Sequence, residues 1–218
     1  MSTDMNITLN KKDHLVDILL RVEKLKIEVD SLRPNNYSFE INDHRGTINI
    51  ETSKDDRGIF NISEDLIKDY HRQCAGFQIY DIKDPGQYRT TDIRMRDKDS
   101  YPLPEAWKIS SLVNSFISNY NDKLKKGVHP VICAAYLHFG LVFIHPFNDG
   151  NGRTSRFLMN MCLIKNGFVP ISPLENEKRA YDQIVEKTRA EEDPSYFYLW
   201  VAQKELTALM IEKYKFNK

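Results

Sequence analysis

Val131 to Ile144 reads Val-Ile-Cys-Ala-Ala-Tyr-Leu-His-Phe-Gly-Leu-Val-Phe-Ile, a helix-length run that is apolar on nearly every side. A helix without a polar face has to be buried all round, so the rest of the chain must wrap it. His129-Pro130 opens the run, and a dense polar segment, His145-Pro146-Phe147-Asn148-Asp149-Gly150-Asn151-Gly152-Arg153-Thr154-Ser155-Arg156, follows it directly. A second helical pattern, Phe157 to Ile164, leads away. The polar residues must therefore make a tight turn between two buried elements.

The wrapping elements are also legible. Leu15, Ile18, Leu19, Val22, Leu25 and Val29 recur at helical spacing between Lys11 and Ser31, and Leu32-Arg33-Pro34 stops the pattern. From Asn35 to Arg57 the chain is polar, with short alternations at Phe39-Glu40-Ile41 and Ile48-Asn49-Ile50 that fit either a small hairpin or an irregular linker. Ser63 offers an N-cap, with Glu64 and Asp65 in the first turn, for a helix over Ser63 to Cys74. After the turn Asp84-Pro85-Gly86, the strand formers Tyr88 to Met95 predict a short exposed hairpin. Pro102 and Pro104 introduce a long helix carrying Ile109, Leu112, Val113, Phe116, Ile117 and Tyr120. Gly167 and Pro170 end the helix after the polar turn. Two more follow, one over Asn176 to Ala190 and one from Pro194. The expected fold class is all-α with one small β excursion.

At 218 residues the chain suits one main core. Lys+Arg and Asp+Glu stand at 31 each, which gives no reason to expect nucleic acid or a membrane as an obligatory partner. Cys74, Cys133 and Cys162 are odd in number and widely spaced, which reads as reduced thiols rather than a disulfide framework. No stretch reaches the roughly 18 apolar residues of a membrane span, and Met1 to Asn10 has no apolar signal core. A cytoplasmic protein is expected, although export by a specialised secretion system would leave no mark here.

The polar turn has a definite chemistry. Gly150 and Gly152 flank Asn151, so successive backbone N–H groups can point into one concavity that opens onto a helix N-terminus, a combination that binds anions. Arg153 and Arg156 emerge on neighbouring parts of that helix and can clamp phosphate oxygens. Asp149 is a hard oxygen ligand suited to Mg2+, an ion that usually takes one or two carboxylates and keeps its waters. His145 can accept a proton from an attacking hydroxyl near neutral pH. His138, inside the apolar helix, reads as a core histidine, and His71 and His129 give no metal-ligand spacing with Cys74 or Cys133.

His145 to Arg156 resembles the signature of the Fic family, H-P-F-x-D/E-G-N-G-R-x-x-R, at every fixed position. The resemblance continues more loosely from about Ser63 to Leu206, through Lys68-Asp69-Tyr70-His71 and Pro85-Gly86-Gln87-Tyr88-Arg89. It implies a helical Fic bundle with a small β-hairpin flap over residues 61–214, preceded by an N-terminal helix and polar linker over residues 1–60 as a candidate regulatory segment. It implies a protein adenylyltransferase that moves AMP from ATP to a Ser, Thr or Tyr hydroxyl of a target protein, with auto-AMPylation open to it. His145 would then be the catalytic base and Asp149 the Mg2+ ligand. Gly150, Asn151, Gly152, Arg153 and Arg156 would hold phosphates, and Tyr181 would border the adenine. Thr90, Thr91, Asp92, Ile93 and Arg94 would form the flap that docks the target segment by strand-like pairing.

Many members of that family carry an inhibitory helix, S/T-x-x-x-E-G/N, whose glutamate engages the second arginine. No clean copy stands in this sequence: the frame at Ser31 lacks the glutamate, and the one at Thr188 has Glu192 but ends in Asp193. A diverged N-terminal element, a separate antitoxin or no glutamate-based control all remain open, as does a homodimer. The rival activities are a Doc-like protein kinase and removal of AMP by activated water. A catalytically silent Fic binding module is the rival from another class.

Overall fold

The computed structural model describes residues 2–43, 46–76, 84–94, 102–173 and 175–218. Its elements run α1 (Ser2–Leu32), β1 (Asn36–Asp43), β2 (Gly46–Ser53), α2 (Glu64–Gly76), α3 (Ile109–Lys125), α4 (Pro130–Ile144), α5 (Asn151–Lys165), α6 (Lys178–Ala190) and α7 (Ser195–Phe216). Short 3-10 turns precede α3 and α6. The fold is all-α with one antiparallel hairpin, as the periodicities predict. Among the described residues, no helix is long and apolar enough to cross a membrane.

The apolar run forms α4, and α3, α5 and α7 pack around it. Val131, Cys133, Ala134, Ala135, Leu137 and Leu141 are wholly enclosed. The helix starts where His129 Nδ1 accepts a hydrogen bond from the Val131 N–H at 3.1 Å, with Pro130 in the first turn, where a missing N–H costs nothing. Packing against α3 is close at Gly140, where a Cβ would stand 2.5 Å from Cε2 of Phe116. Ser63 caps α2 as its sequence suggests, its hydroxyl accepting from the Leu66 N–H at 3.1 Å. Gly167, with φ of 80°, closes α5.

Three features extend or depart from the sequence reading, the second by deciding between the hairpin and the irregular linker. First, α1 begins at Ser2, well before Lys11. Second, the polar stretch after α1 is a hairpin, pairing Asn36 with Ser53 through Asp43 with Gly46. Third, residues 90–94 are irregular chain rather than strand, while Met95 and the charged turn Arg96 to Asp99 lie outside the described residues. The stretch has other partners: Arg89 turns inward, and Asp92 Oδ1 accepts from the Ala106 N–H at 2.7 Å.

The N-terminal helix shares the core of the rest, burying Ile18, Val22 and Val29. Lys11 pairs with Asp193 at 3.2 Å and Glu28 with Lys213 at 2.6 Å, so α1 and α7 run parallel. At the end of α1 the Arg33 side chain is fully enclosed, donating to the Gly167 carbonyl at 2.7 Å and pairing with Asp30 and Glu212. Glu205 of α7 is buried nearby, and burial pushes its carboxyl up to about 8 while it accepts from the Val169 N–H at 2.9 Å.

The contact at Gly140 yields a stability prediction. Gly140→Ala drives a methyl into the Phe116 ring and should lower stability by about 1–3 kcal/mol, since a close-packed interior has no room to yield. Urea unfolding should show a lower midpoint with an unchanged slope.

Candidate active site

The site is built where α4 ends and α5 begins. His145 closes α4 with φ of 51° and ψ of 58°, a left-handed conformation usually left to glycine or asparagine. Such a backbone costs about 1–2 kcal/mol in a residue with a Cβ, so its surroundings must hold it there. They do so through carbonyls. The His145 carbonyl accepts from Arg89 Nε at 2.9 Å, and the Pro146 carbonyl accepts from the Arg89 backbone N–H at 2.9 Å.

Beyond the reversal the chain plunges inward. Phe147 is fully buried, and the Asn151 side chain clamps it from both sides: Oδ1 accepts from the Phe147 N–H at 2.9 Å, and Nδ2 donates to the Phe147 carbonyl at 2.8 Å. Asn151 is itself 2% exposed, so its amide is spent on shaping the loop and not on a ligand. His71 stacks on the Phe147 ring with centroids 3.7 Å apart. Its Nδ1 accepts from the Gly86 N–H at 2.8 Å, which puts the proton on Nε2, where it donates to the Asp149 carbonyl at 2.9 Å.

Gly150, with φ of 79°, is the N-cap of α5 and brings no side chain to cap the helix start. Its N–H bonds Asp149 Oδ1 at 2.6 Å. The first turn is tightened by the Arg153 and Thr154 N–H groups on the Gly150 carbonyl, at 3.1 and 3.0 Å. The hydroxyls of Thr154 and Ser155 are tied to the Gly150 and Gly152 carbonyls. The Asn151 and Gly152 backbone N–H groups stand in the first turn of α5, where a helix has no acceptors of its own and the positive end of its dipole lies. Arg153 reaches Asp149 Oδ2 at 3.3 Å. Arg156 lies over Gly152, its NH1 3.4 Å from where a Cβ would stand, so a larger residue at 152 would crowd the guanidinium. The Asp149 side chain remains 68% exposed at the lip. Among the described residues no group of three or more His, Cys, Asp or Glu could cage a metal. A lone outward carboxylate beside an anion cradle suits Mg2+, which completes its shell with phosphate oxygens and water.

The imidazoles around the cradle are kept neutral. Burial lowers His145 to about 4, with Arg189 and Arg89 pushing the same way, while the Val142 carbonyl and Asp149 pull back. Arg189 stands at the end of α4, donating to the Val142 carbonyl at 3.2 Å and lying over the Phe143 ring. His138 is wholly enclosed, stacked on Phe197, and lowered to about 3 by burial and the Arg156 charge. It is a core histidine, as its place in the apolar helix suggests. Its Nε2 hydrogen-bonds the hydroxyl of Tyr181 at 3.0 Å, so Tyr181 is anchored through α4 and packed against Trp200.

The structure thus gathers His145, Asp149, Gly150, Asn151, Gly152, Arg153 and Arg156 in one turn, as their adjacency requires. Tyr181 joins them through His138, whose imidazole feels Arg156. Of the two candidate inhibitory positions, Ser31 is exposed on the last turn of α1 with its hydroxyl on the Glu28 carbonyl, and Glu192 is exposed at the α6–α7 turn with φ of 51°. Sequence reasoning missed His71, Arg89 and Arg189 as parts of the site. A histidine without metal-ligand spacing and an arginine among strand formers carry no sign of which carbonyls they will meet.

The fold and the turn together define a helical domain with a neutral imidazole and two arginines gathered at the start of α5. Residues 61–163 match the model of the Fic/DOC family. Protein adenylyltransferase Fic of Nematostella vectensis is 38% identical over 111 residues, a match that takes in 51% of this chain and 25% of that protein. The chain spans about a quarter of the length of such curated relatives. Among solved structures, Fic-1 from C. elegans is similar with a TM-score of 0.60 at 26% identity, over 70% of this chain and 43% of that one. A Fic domain containing signaling protein from Bacteroides thetaiotaomicron is similar in fold, with a TM-score of 0.64 at 20% identity, over 94% of this chain and 72% of that one.

The two depressed imidazoles give a pH prediction. In the unfolded chain a histidine takes up its proton near pH ~6.5. In the native protein His145 does so only at about 4 and His138 at about 3. Below pH ~6.5 the unfolded state therefore binds more protons, and stability falls with falling pH, by roughly 2 kcal/mol per imidazole at pH ~5. Urea midpoints measured from pH 7 to 5 should show this decline, and His145→Asn should make it shallower.

Proposed function

We propose that the protein is a Mg2+-dependent adenylyltransferase that moves AMP from ATP to a hydroxyl of a target protein. The observation that carries this reading is the α5 start: a helix N-terminus without a side-chain cap, two arginines on its first turns, and a neutral imidazole at its rim. The named activity of the relatives matched over about half of the chain agrees with it. In this reading the backbone N–H groups of Asn151 and Gly152 with Arg153 and Arg156 hold the phosphates, and Tyr181 flanks the adenine from the α6 side. Asp149 holds Mg2+, which when bound neutralises phosphate charge. Residues 61–214 supply this machinery, and residues 1–60 brace it through α1.

The reaction needs a proton acceptor and a held leaving group. A target hydroxyl oxygen attacks the α-phosphorus, its proton passes to His145, and the bond to the β-phosphate oxygen breaks, releasing pyrophosphate. His145 Nδ1 is enclosed, so Nε2 is the nitrogen that takes the proton. Because burial and two arginines hold the imidazole low, it is deprotonated throughout the neutral range. Arg153 and Arg156 stabilise the charge that builds on the departing pyrophosphate. Residues 90–94, beside the loop through Arg89, receive the target segment. The exposed Glu192 and Ser31 leave control to another element, and a separate antitoxin fits that arrangement.

Incubation of the purified chain with α-labelled ATP and Mg2+ tests the reading. Label should enter protein, either the chain itself or a target, and chelation of Mg2+ should stop it. His145→Ala should lower labelling by at least ~10²-fold, the loss typical of a removed general base. Transfer of γ-label instead would establish the kinase reading. The rate for the wild type should stay level from pH 8 to 6 and fall only below about 5, following the depressed imidazole. A midpoint near ~6.5 would show that the imidazole is not depressed during turnover.

A further inference from the structure

Arg89 is a cation with almost no access to water, 2% exposed, and its donors end on carbonyls. Nε bonds the His145 carbonyl at 2.9 Å, NH1 the Thr91 carbonyl at 3.1 Å, and NH2 the Pro104 carbonyl. The Asp92 carboxylate stands 4.0 Å from NH1 and is 71% exposed, so it is a weak counter-charge. A buried guanidinium is costly without a paired anion, and three carbonyl bonds answer that cost in one specific geometry. One of those carbonyls belongs to the residue whose backbone is left-handed and whose side chain is the base of the proposed reaction. The other two belong to Thr91, within residues 90–94, and to Pro104. The Arg89 backbone N–H on the Pro146 carbonyl gives the same segment a second hold on the turn.

From this geometry we infer that Arg89 is a positioning residue, which fixes the His145 backbone in its left-handed form and ties the flap at Thr91 and Pro104 to the imidazole. The inference rests on the adenylyltransferase reading for its catalytic consequence, but the positioning itself does not. Arg89 touches no part of the phosphate cradle, so nucleotide binding and turnover should separate when it is changed. Lysine keeps the charge but has a single ammonium that cannot reach three carbonyls in a plane, so Arg89→Lys isolates the fork from the charge. Arg89→Gln removes the charge as well. Arg89, Arg189 on α6 and Asp149 in the loop are the charged groups acting on the His145 ring. Loss of the first should let its protonation midpoint rise.

The test has three parts. In the wild type, the Arg89 Nε–H signal in nitrogen-15 NMR should exchange with water at least ~10²-fold more slowly than those of exposed arginines. Exchange at the solvent rate would overturn the inference without any variant being made. In Arg89→Gln, the His145 ring titration in the nucleotide-free protein should move upward from about 4. An unmoved titration in a folded variant counts against it. In Arg89→Lys, ATP affinity by calorimetry should stay within ~2-fold while the labelling rate falls roughly 10²-fold, as expected when a reacting group is misplaced by about an ångström. A folded Arg89→Lys chain with wild-type turnover would overturn the inference. If the wild type transfers no label while the two NMR results hold, the adenylyltransferase reading fails and the positioning role stands.

Discussion

A buried apolar helix has to end somewhere, and its last carbonyls then need partners that water cannot supply. In this protein the end of α4 is part-buried, and the need is met by arginines. Arg189 takes the Val142 carbonyl and Arg89 takes that of His145. Positive charge at a helix C-terminus is favourable in itself. Here it also lets the chain reverse direction at His145 and drive Phe147 straight back into the core. The loop that follows inherits its shape from that reversal. Asn151 grips Phe147, His71 stacks on it, and α5 starts without a side-chain cap on its first amides.

Those helix-capping arginines set the electrostatics of the site as well as its shape. Burial first, and these arginines after it, keep the His145 imidazole neutral, so it is free to accept a proton although it is a weak base. Burial does the same to His138, with Arg156 adding to it. Positive charge is thus concentrated at the start of α5, with the exposed Asp149 carboxylate paired to Arg153 beside it. A chain with equal numbers of acidic and basic residues achieves this only by local segregation.

Much of this was legible from residue order alone, because a turn of twelve consecutive residues brings its own chemistry with it. The α4 burial, the Ser63 cap, the Gly167 stop and the gathering of His145 through Arg156 all follow from local rules. What sequence could not give was side-chain direction across long separations. Arg89 sits among Tyr, Thr and Ile, where strand propensity is the visible signal, yet its guanidinium needs carbonyls 2, 15 and 56 positions away. Once those bonds form, residues 90–94 have no strand partner among the described residues and run as irregular chain. His71 escaped for the same reason, since its partners, Gly86 and Asp149, come together only when α2 packs on α5. The start of α1 was missed because polar residues from Ser2 onward carry no apolar period.

The parallel pairing of α1 with α7 has a consequence for how the chain acquires its fold. Lys11 meets Asp193 across 182 positions, and Arg33 meets Glu212 across 179. Contacts this distant in sequence form late, because the loop they close carries a large entropic cost until the intervening helices have collapsed. During synthesis the apolar stripe of α1, with Ile18, Val22 and Val29, emerges before α7 and stays uncovered until that helix has been made. The element that completes the scaffold is therefore separated in time from the one that needs it by the whole span of the intervening helices.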